Sequence, residues 1–339
     1  MPPSRRRSIE GILTAAWRAR GPLAALLLPV GILFFLAVAA RRWLYRIGIL
    51  RGERLPVPVV VIGNITAGGA GKTPLTIFLA DALRRAGRHP GIVSRGYGRA
   101  DDTVRKVGAG DTAADVGDEP LLVSRRTACP VFVGRDRVAA ARALLAAHPE
   151  CDVIIADDGL QHYRLARDVE IVACDERGLS NGWPLPAGPL REPPGRLRAV
   201  DALVLNGRCT VAVAGVPVFQ MDLAGERFER LGHAAQTCVA ADLAGKRLHA
   251  LAGIGDPPRF FAHLAALGLA CETHAFPDHH RYAGADFRFD GDAIVTTEKD
   301  AVKFPADLPL PVWVLPVAAR ITPDLAQFVV ERIDGRPPA

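Results

Sequence analysis

The sequence predicts an α/β protein: a three-layer domain with a mostly parallel sheet, a smaller C-terminal α/β domain and an N-terminal apolar, membrane-associated helix. Three observations support this fold class. Apolar, β-branched runs alternate with segments of helical periodicity up to about residue 206. The alternation resumes near residue 246, and an uncharged apolar stretch occupies residues 22–40. We therefore expect an N-terminal segment 1–54, a main domain 55–206, a β-rich connection 207–245 and a C-terminal domain 246–339.

The composition indicates a globular protein from a reducing compartment. Of the 339 residues, 49% are hydrophobic, which excludes global disorder. The six cysteines form no C-x-x-C pair, so neither a zinc ribbon nor a disulfide framework is expected. The net charge is +6, but residues 1–54 alone hold ten arginines, no lysine and two acids, a net of +8. Because the rest of the chain is slightly acidic, this charge indicates a membrane surface rather than nucleic acid.

The stretch 22–40, "PLAALLLPVGILFFLAVAA", predicts a membrane-associated helix. At ~1.5 Å per residue it would extend ~28 Å, close to the ~30 Å hydrocarbon core of a bilayer. Arg5–Arg7 make the preceding flank basic, and the following flank has the composition of an interfacial anchor: Arg41, Arg42, Trp43, Tyr45 and Arg46. We expect residues 22–46 to contact membrane lipids. A single span, a helix dipping into one leaflet and an apolar helix packed on the protein all remain open.

Residues 63–74, "GNITAGGAGKTP", match the second half of the phosphate-loop pattern G-x-x-x-x-G-K-[ST] but carry Thr66 at the first glycine. The run "PVPVVVIGN" before the loop predicts a buried parallel strand, and helical periodicity after it ends at Gly87. Strand, loop and helix in this order are the context of a true P-loop. We therefore predict a P-loop NTPase-like domain that binds nucleotide through Thr66, Ala67, Gly68, Gly69, Ala70, Gly71, Lys72 and Thr73. Backbone N–H groups would face the anion, Lys72 would reach the β- and γ-phosphates, and Thr73 would ligate Mg²⁺.

A second part of a nucleotide site follows at residues 151–162, "CDVIIADDGLQH", an apolar strand that ends in two aspartates. P-loop proteins hold Mg²⁺ with a strand-terminal aspartate near the loop threonine. We expect Asp157 to ligate the metal or to lie just outside its ligands, while Asp158 shares that role or positions a group of the substrate. Guanine is disfavoured because Lys299 in "TTEKD" stands one place too late for the [NT]-K-x-D pattern. That segment reads most simply as a strand-to-helix turn with caps.

The loop resembles that of the lipid A 4′-kinases (tetraacyldisaccharide 4′-kinases), in which G-N-x-T-x-G-G-x-G-K-T-P is the usual form and a threonine at position 66 is typical. Other motifs match in family order: "SRGYGR" (94–99), "VGDEP" (116–120), "DDGLQH" (157–162), "LPAGPLREP" (185–193), "FPDHHRY" (276–282) and "TTEKDAVK" (296–303). The resemblance implies that ATP, with Mg²⁺, phosphorylates the 4′-hydroxyl of an acylated glucosamine disaccharide 1-phosphate. It places this reaction at the cytoplasmic face of a Gram-negative inner membrane. No nucleic acid and no obligate protein partner are expected.

For the acceptor hydroxyl, Asp118 in "GDEP" is the candidate base and, with Lys72, a predicted catalytic residue. The alternative is that Asp118 caps a helix over "EPLLVSRR", where aspartate is favoured. In the resembling family an aspartate–histidine pair works at the acceptor, which implies His279 as the partner of Asp118. His280 is the competing assignment, and a surface turn is the alternative interpretation of "FPDHHRY".

Three arginines are candidate substrate contacts, because a guanidinium matches the geometry of a phosphate. Arg95 and Arg99 flank Gly-Tyr-Gly in "SRGYGR", and Arg191 stands in the Pro/Gly-rich "LPAGPLREP". The alternative interpretation of "SRGYGR" is a solvated basic loop, and that of "LPAGPLREP" is a linker. Two other functions would fit a P-loop with an apolar anchor: a membrane-bound regulatory NTPase without a small-molecule acceptor, and a non-catalytic membrane scaffold. Neither requires a base for a hydroxyl.

Overall fold

Helices and strands alternate along the chain in this computed structural model, which describes residues 16–335. The α-helices are α1 Pro22–Arg46, α2 Lys72–Arg85, α3 Ala113–Val116, α4 Asp118–Arg126, α5 Arg137–Ala147, α6 Ala240–Leu243, α7 Pro257–Ala266, α8 Glu298–Ala301 and α9 Leu325–Asp334. Short 3₁₀ segments occupy Pro194–Ala199 and Gly284–Phe287.

Fifteen strands lie within residues 16–335. They are β1 Val59–Gly63, β2 Pro90–Ser94, β3 Arg105–Lys106, β4 Val131–Val133, β5 Val153–Asp157, β6 Val169–Asp175, β7 Ala202–Asn206, β8 Val218–Ala224, β9 Arg227–Arg230, β10 His233–Val239, β11 Leu248–Ala252, β12 Cys271–Ala275, β13 Ala293–Thr297, β14 Val312–Leu315 and β15 Ala318–Thr322.

The chain divides into two units, the first of which contains the P-loop motif. Within the described residues this unit comprises 16–72, 156–221 and 321–335. Its strands β8, β7, β6 and β1 are hydrogen-bonded in that order, and every pair is parallel. Every residue of β1, β6 and β7 is buried, as expected for parallel strands covered on both faces. Since parallel strands end at one edge, the loop after β1 lies at the same edge as the ends of β6 and β7.

The second unit comprises residues 73–155 and 222–320. Strands β2 and β4 pair in parallel, and β3 pairs antiparallel with β4. A six-stranded sheet has the order β10–β9–β14–β13–β11–β12, in which β11 to β14 pair in parallel and β9 and β10 are antiparallel. Apolar clusters cover both of its faces, one around Phe228 and Phe260 and the other around Phe287.

The predicted fold class is confirmed: the sheets are mostly parallel, and helices alternate with the strands. Residues 113–116, just before Asp118, form the short helix α3, at whose start the Asp115 carboxylate accepts hydrogen bonds from the N–H and hydroxyl of Thr112. Strand β8, within the predicted connection, pairs with β7 in the sheet of the first unit. The four-segment division of the chain stays a prediction.

Helix α1 is the single helix in the described part of the chain that is long and apolar enough to cross a membrane. Several of its large apolar side chains, among them Leu26, Leu33 and Leu36, are more than half exposed. One side contacts its own unit: a Cβ at Gly31 would lie 2.8 Å from the Pro184 ring, so the helix backbone approaches this loop closely. The basic flank at Arg5–Arg7 lies outside the described residues.

Candidate active site

Two glycines of the P-loop have backbone conformations that other residues rarely adopt. Gly68 and Gly71 have φ of +97° and +87°, which glycine adopts without steric cost. A Cβ at Gly71 would lie 2.5 Å from Nδ2 of Asn206 and 2.9 Å from Cε of Met221, and one at Gly68 would lie 2.7 Å from a guanidinium nitrogen of Arg177. The loop backbone therefore lies directly against side chains at the ends of the neighbouring strands.

The segment 185–193 holds the other side of the loop by backbone pairing. The N–H of Arg191 donates to the Ile65 carbonyl at 2.7 Å, and the N–H of Ala67 donates to the Pro189 carbonyl at 2.7 Å. Between them Thr66 forms an antiparallel bridge with Leu190. This extended backbone suits a β-branched residue and gives a physical reason for threonine in place of the first glycine. The N–H of Ala67 is used in this pairing and is not available to an anion. The backbone N–H groups that could bind an anion are therefore those of residues 68–73.

Lys72 begins helix α2 and is almost fully buried. Its Nζ donates to Oδ1 of Asn64 at 3.3 Å and lies 3.5 Å from Oδ1 of Asp158. Arg191 donates to the same Asp158 carboxylate at 3.3 and 3.4 Å. Two predicted site cations thus share one carboxylate, and a bound phosphate would compete with Asp158 for them.

The residues predicted to hold Mg²⁺ have suitable chemistry. Asp157 is the last residue of β5 and is buried, and Thr73 is buried in the first turn of α2. A carboxylate and a hydroxyl are the hard oxygen ligands that Mg²⁺ prefers. Asp158 differs, because its carboxylate already faces Lys72 and Arg191. Asp157 and Thr73 each carry an oxygen donor of the type that Mg²⁺ uses, whereas the Asp158 carboxylate is shared by two cations.

The sequence analysis missed a buried network around Glu192, the neighbour of Arg191. Glu192 is fully buried and accepts hydrogen bonds from Gln161 at 2.9 Å and from the Tyr163 hydroxyl. Gln161 also donates to the Asn64 carbonyl at 3.0 Å, next to the P-loop. The ion pair with Arg196, at 3.4 Å, helps to balance the buried charge. A glutamate inside an apolar, proline-rich segment was the signal available in the sequence.

In the second unit, Asp118 and His279 form a hydrogen-bonded pair across 161 residues of sequence. Nδ1 of His279 lies 2.8 and 3.0 Å from the two carboxylate oxygens of Asp118. Asp118 is buried and is the first residue of α4, while Gly117, with a φ of +92°, occupies the cap position. His280 instead contacts Asp286 at 3.1 Å and stacks on Phe276.

The histidine is carried by a tight turn, as the Pro-Asp sequence predicted. The His280 N–H donates to the Pro277 carbonyl at 3.1 Å, and His279 has a φ of +58°. A left-handed conformation at a non-glycine residue costs ~1–3 kcal/mol unless other contacts hold it. The bond to Asp118 and the Tyr97 ring, 5.0 Å away between centroids, are such contacts.

Lysine residues from "TTEKDAVK" surround the pair. Lys299 Nζ lies 2.9 Å from Glu119 and 3.0 Å from Asp278, the chain neighbours of the two partners. Lys303 Nζ lies 3.9 Å from the Asp118 carboxylate. The segment itself is a capped turn, as expected, with the Thr297 side chain accepting from the Asp300 N–H. This lysine network was not predicted.

The electrostatics favour an ionised Asp118. Burial acts to raise the pKa of its carboxyl, but the hydrogen bond from His279 and the charge of Lys299 outweigh burial and hold the pKa below its usual value. For His279, burial acts to lower the pKa, and the hydrogen bond to Asp118 outweighs it, so the pKa is raised. The pair therefore rests as a carboxylate with an imidazole N–H donating to it.

The two arginines of "SRGYGR" have different environments. Arg95 is exposed. The Arg99 side chain is only 2% exposed and donates from Nη1 to the Thr103 carbonyl at 2.6 Å. Its Nε and Nη2 are buried without a hydrogen-bond partner among the described residues. A buried N–H donor without a partner lowers the stability of the fold unless a ligand or a water molecule accepts its hydrogen bond.

The comparisons with known proteins agree with these motifs. A family model described as "LpxK: Tetraacyldisaccharide-1-P 4'-kinase" matches residues 23–334. The chain belongs to this family. The family resemblance predicted from the motifs is confirmed over nearly the whole chain.

Relatives in the family are similar over almost their full length. A tetraacyldisaccharide 4'-kinase of Azoarcus sp. (strain BH72) is 52% identical over 330 residues, which cover 95% of this chain and 96% of the relative. One of Janthinobacterium sp. (strain Marseille) is 50% identical, with 98% of each chain covered.

A solved structure of the family is also similar. It is a crystal structure described as the "apo" form of LpxK from Aquifex aeolicus in complex with ATP. Its TM-score to this chain is 0.79 at 30% sequence identity, covering 92% of this chain and 99% of that chain. The P-loop α/β fold expected from the sequence is therefore that of the family.

Proposed function

We propose that this protein is an ATP-dependent kinase that phosphorylates the 4′-hydroxyl of a tetraacyl glucosamine disaccharide 1-phosphate in lipid A biosynthesis. Family membership supports the reaction, and the Asp118–His279 pair is the observation that carries it for this chain. A regulatory NTPase would activate only water, and it would not require a separate carboxylate–imidazole pair for an acceptor hydroxyl.

The P-loop is the proposed ATP site. The backbone N–H groups of residues 68–73 and the N-terminus of α2 would bind the phosphates. The Lys72 ammonium group, which now lies near Asp158, would turn to contact the β- and γ-phosphates. Thr73 and Asp157 would hold Mg²⁺, and Asp158 would lie just outside its ligands. The ion would neutralise the negative charge of the transferred phosphoryl group. The ATP complex of the Aquifex aeolicus relative supports ATP as the nucleotide.

Asp118 is the proposed acceptor of the hydroxyl proton. A carboxylate of low pKa is a weak base, but phosphoryl transfer passes through a loose transition state in which the hydroxyl needs orientation more than early deprotonation. His279 would keep the carboxylate oriented through Nδ1, and its Nε2 faces outward toward Asp278 at 3.7 Å. We therefore assign proton acceptance to Asp118 and orientation to His279.

The arginines are proposed contacts of the anionic groups of substrate or ATP. Arg99 is the best-supported candidate of the three arginines, because two of its guanidinium nitrogens are buried without a hydrogen-bond partner among residues 16–335. Arg191 would release Asp158 to bind a phosphate, and Arg95 is exposed for a surface contact. A bidentate guanidinium–phosphate bond would satisfy each of them.

Helix α1 is the proposed membrane contact, at the cytoplasmic face of the inner membrane. Gly31 lies near the middle of the helix and contacts Pro184, and Trp17, in the segment before the helix, donates to the Pro186 carbonyl at 2.9 Å. A helix spanning the bilayer would carry this contact, and the loop with it, into the hydrocarbon. The contact therefore favours α1 lying along the membrane surface with its exposed leucines in one leaflet.

A lipid-phosphorylation assay tests the function. Purified full-length protein with Mg-ATP should transfer labelled phosphate to the disaccharide 1-phosphate, and Lys72→Ala should lower the rate by at least ~10²-fold. Lys246→Ala, which changes an exposed lysine, is the matched control. ATP hydrolysis that does not depend on the lipid, with no labelled lipid, would instead support the regulatory NTPase.

A further inference from the structure

A second cluster of ligand-type side chains lies on the six-stranded sheet, apart from the groups assigned to phosphoryl transfer. It consists of His249 on β11 with Glu272 and His274 on β12. The two strands are parallel neighbours, and His249 stands directly opposite Glu272. Because alternate residues of a strand share a face, Glu272 and His274 both point to the side of His249.

The three side chains converge on one point. Nδ1 of His249 lies 3.1 Å from Nε2 of His274 and 3.6 Å from a carboxylate oxygen of Glu272. Nε2 of His274 lies 3.8 Å from the other carboxylate oxygen. Around zinc, bonds of ~2.0–2.1 Å separate tetrahedral ligands by ~3.3–3.4 Å, so these distances need only small side-chain adjustments. We infer that His249, Glu272 and His274 bind a Zn²⁺ ion, with the fourth position open to water.

The surroundings orient the two imidazoles toward this point. Nε2 of His249 faces the Asp290 carbonyl at 3.5 Å, the type of partner to which a metal-bound histidine donates its other N–H. The Phe289 ring stacks on His249 at 4.5 Å and lies 4.3 Å from the His274 ring. With Nε2 of His249 directed at a carbonyl, its Nδ1 lone pair is turned into the cluster.

The position of the cluster would let a bound ion connect two strands. Strand β12 is the edge of its sheet, and none of its side chains is fully buried. It is held chiefly by its pairing with β11. An ion bound to one ligand from β11 and two from β12 would link the edge strand to the interior of the sheet.

Metal titration of the full-length protein, first freed of metal with a chelator, tests this inference. Zn²⁺ should bind one strong site per chain and raise the melting temperature as its concentration increases. Co²⁺ at the same site should give the intense visible absorption of tetrahedral coordination. Glu272→Gln and His274→Ala should each weaken Zn²⁺ binding by at least ~10-fold, since loss of an outer partner alone costs ~10–100-fold.

His233→Ala is the matched control, because it removes an exposed histidine from another strand of the same sheet and should leave the affinity unchanged. Two results would overturn the site. One is Zn²⁺ binding of equal strength in the wild type and in both ligand variants, which would place the ion elsewhere. The other is no saturable Zn²⁺ binding, which would leave His249 and His274 as a hydrogen-bonded pair that shares one proton.

Discussion

The P-loop and the Asp118–His279 pair are built from different parts of the chain. The loop is one continuous segment whose geometry depends on backbone conformation, including the left-handed Gly68 and Gly71. The pair joins two side chains that are 161 residues apart, and its properties depend on burial and on the charges around it. The loop should therefore be sensitive to added atoms, whereas the pair should be sensitive to altered charge at constant shape.

With the roles proposed above, this difference separates nucleotide binding at the loop from proton acceptance at Asp118. A change of charge at Asp118 leaves every contact of the P-loop in place, and a methyl group in the loop leaves the contacts of Asp118 in place. Substitutions of each kind should thus affect different kinetic constants.

Asp118→Asn should lower kcat for lipid phosphorylation by ~10²–10⁴-fold, because the amide keeps the shape of the carboxylate but accepts no proton. The affinity for ATP should not change. Steady-state kinetics and nucleotide titration measure the two quantities. Asp307→Asn, at an exposed aspartate, is the matched control and should retain wild-type kinetics. An Asp118→Asn enzyme with normal kcat would remove the residue from catalysis.

Gly71→Ala should weaken ATP binding by ~5–150-fold, which corresponds to the ~1–3 kcal/mol cost of a strained left-handed residue. Its new Cβ would also lie 2.5 Å from Asn206. Gly69→Ala provides the control within the same loop, because its Cβ would meet no heavy atom within 4 Å and its φ is not left-handed. Equal ATP affinity in the two variants would show that the space at Gly71 does not determine the loop.

The sequence predicted the local features of the chain well. The strand, loop and helix around Lys72 follow from hydrophobic periodicity and glycine spacing, which are properties of consecutive residues. The choice between His279 and His280 could not be made this way, since both stand in one turn and only the long-range contact with Asp118 separates them.

The partners of Lys299 and Glu192 could not be predicted from the sequence, and the reason is the same for both. Lys299 meets Glu119 and Asp278 from two different segments, and Glu192 is buried beside Gln161 and Tyr163. The partners of such charges depend on strand order and on burial, neither of which leaves a local pattern. A charged residue within an apolar, proline-rich segment signals that partners exist, but it does not identify them.

The smallest predicted effect concerns the pH dependence of stability around the pair. The pKa of Asp118 is lowered, so its contribution is present above the unfolded value of ~3.9 and is lost as the pH falls through the folded pKa. The pKa of His279 is raised, so its contribution is full below ~6.5 and is lost as the pH rises through the folded pKa. The pair therefore stabilises its unit most between these values.

His279→Asn should lower the melting temperature by a few degrees near pH 5.5 and by less at pH 8.5. Asparagine tolerates the left-handed backbone at this position, so the variant removes the imidazole without adding strain. Lys299, Lys303 and Asp278 also face the pair, but they remain in both proteins, so the difference between the two melting temperatures isolates the histidine. His233→Asn, at an exposed histidine, should show no such trend. If the difference instead grew above pH 6.5, the imidazole would stabilise the pair in its neutral form, and the charge-based account of Asp118 and His279 would be wrong.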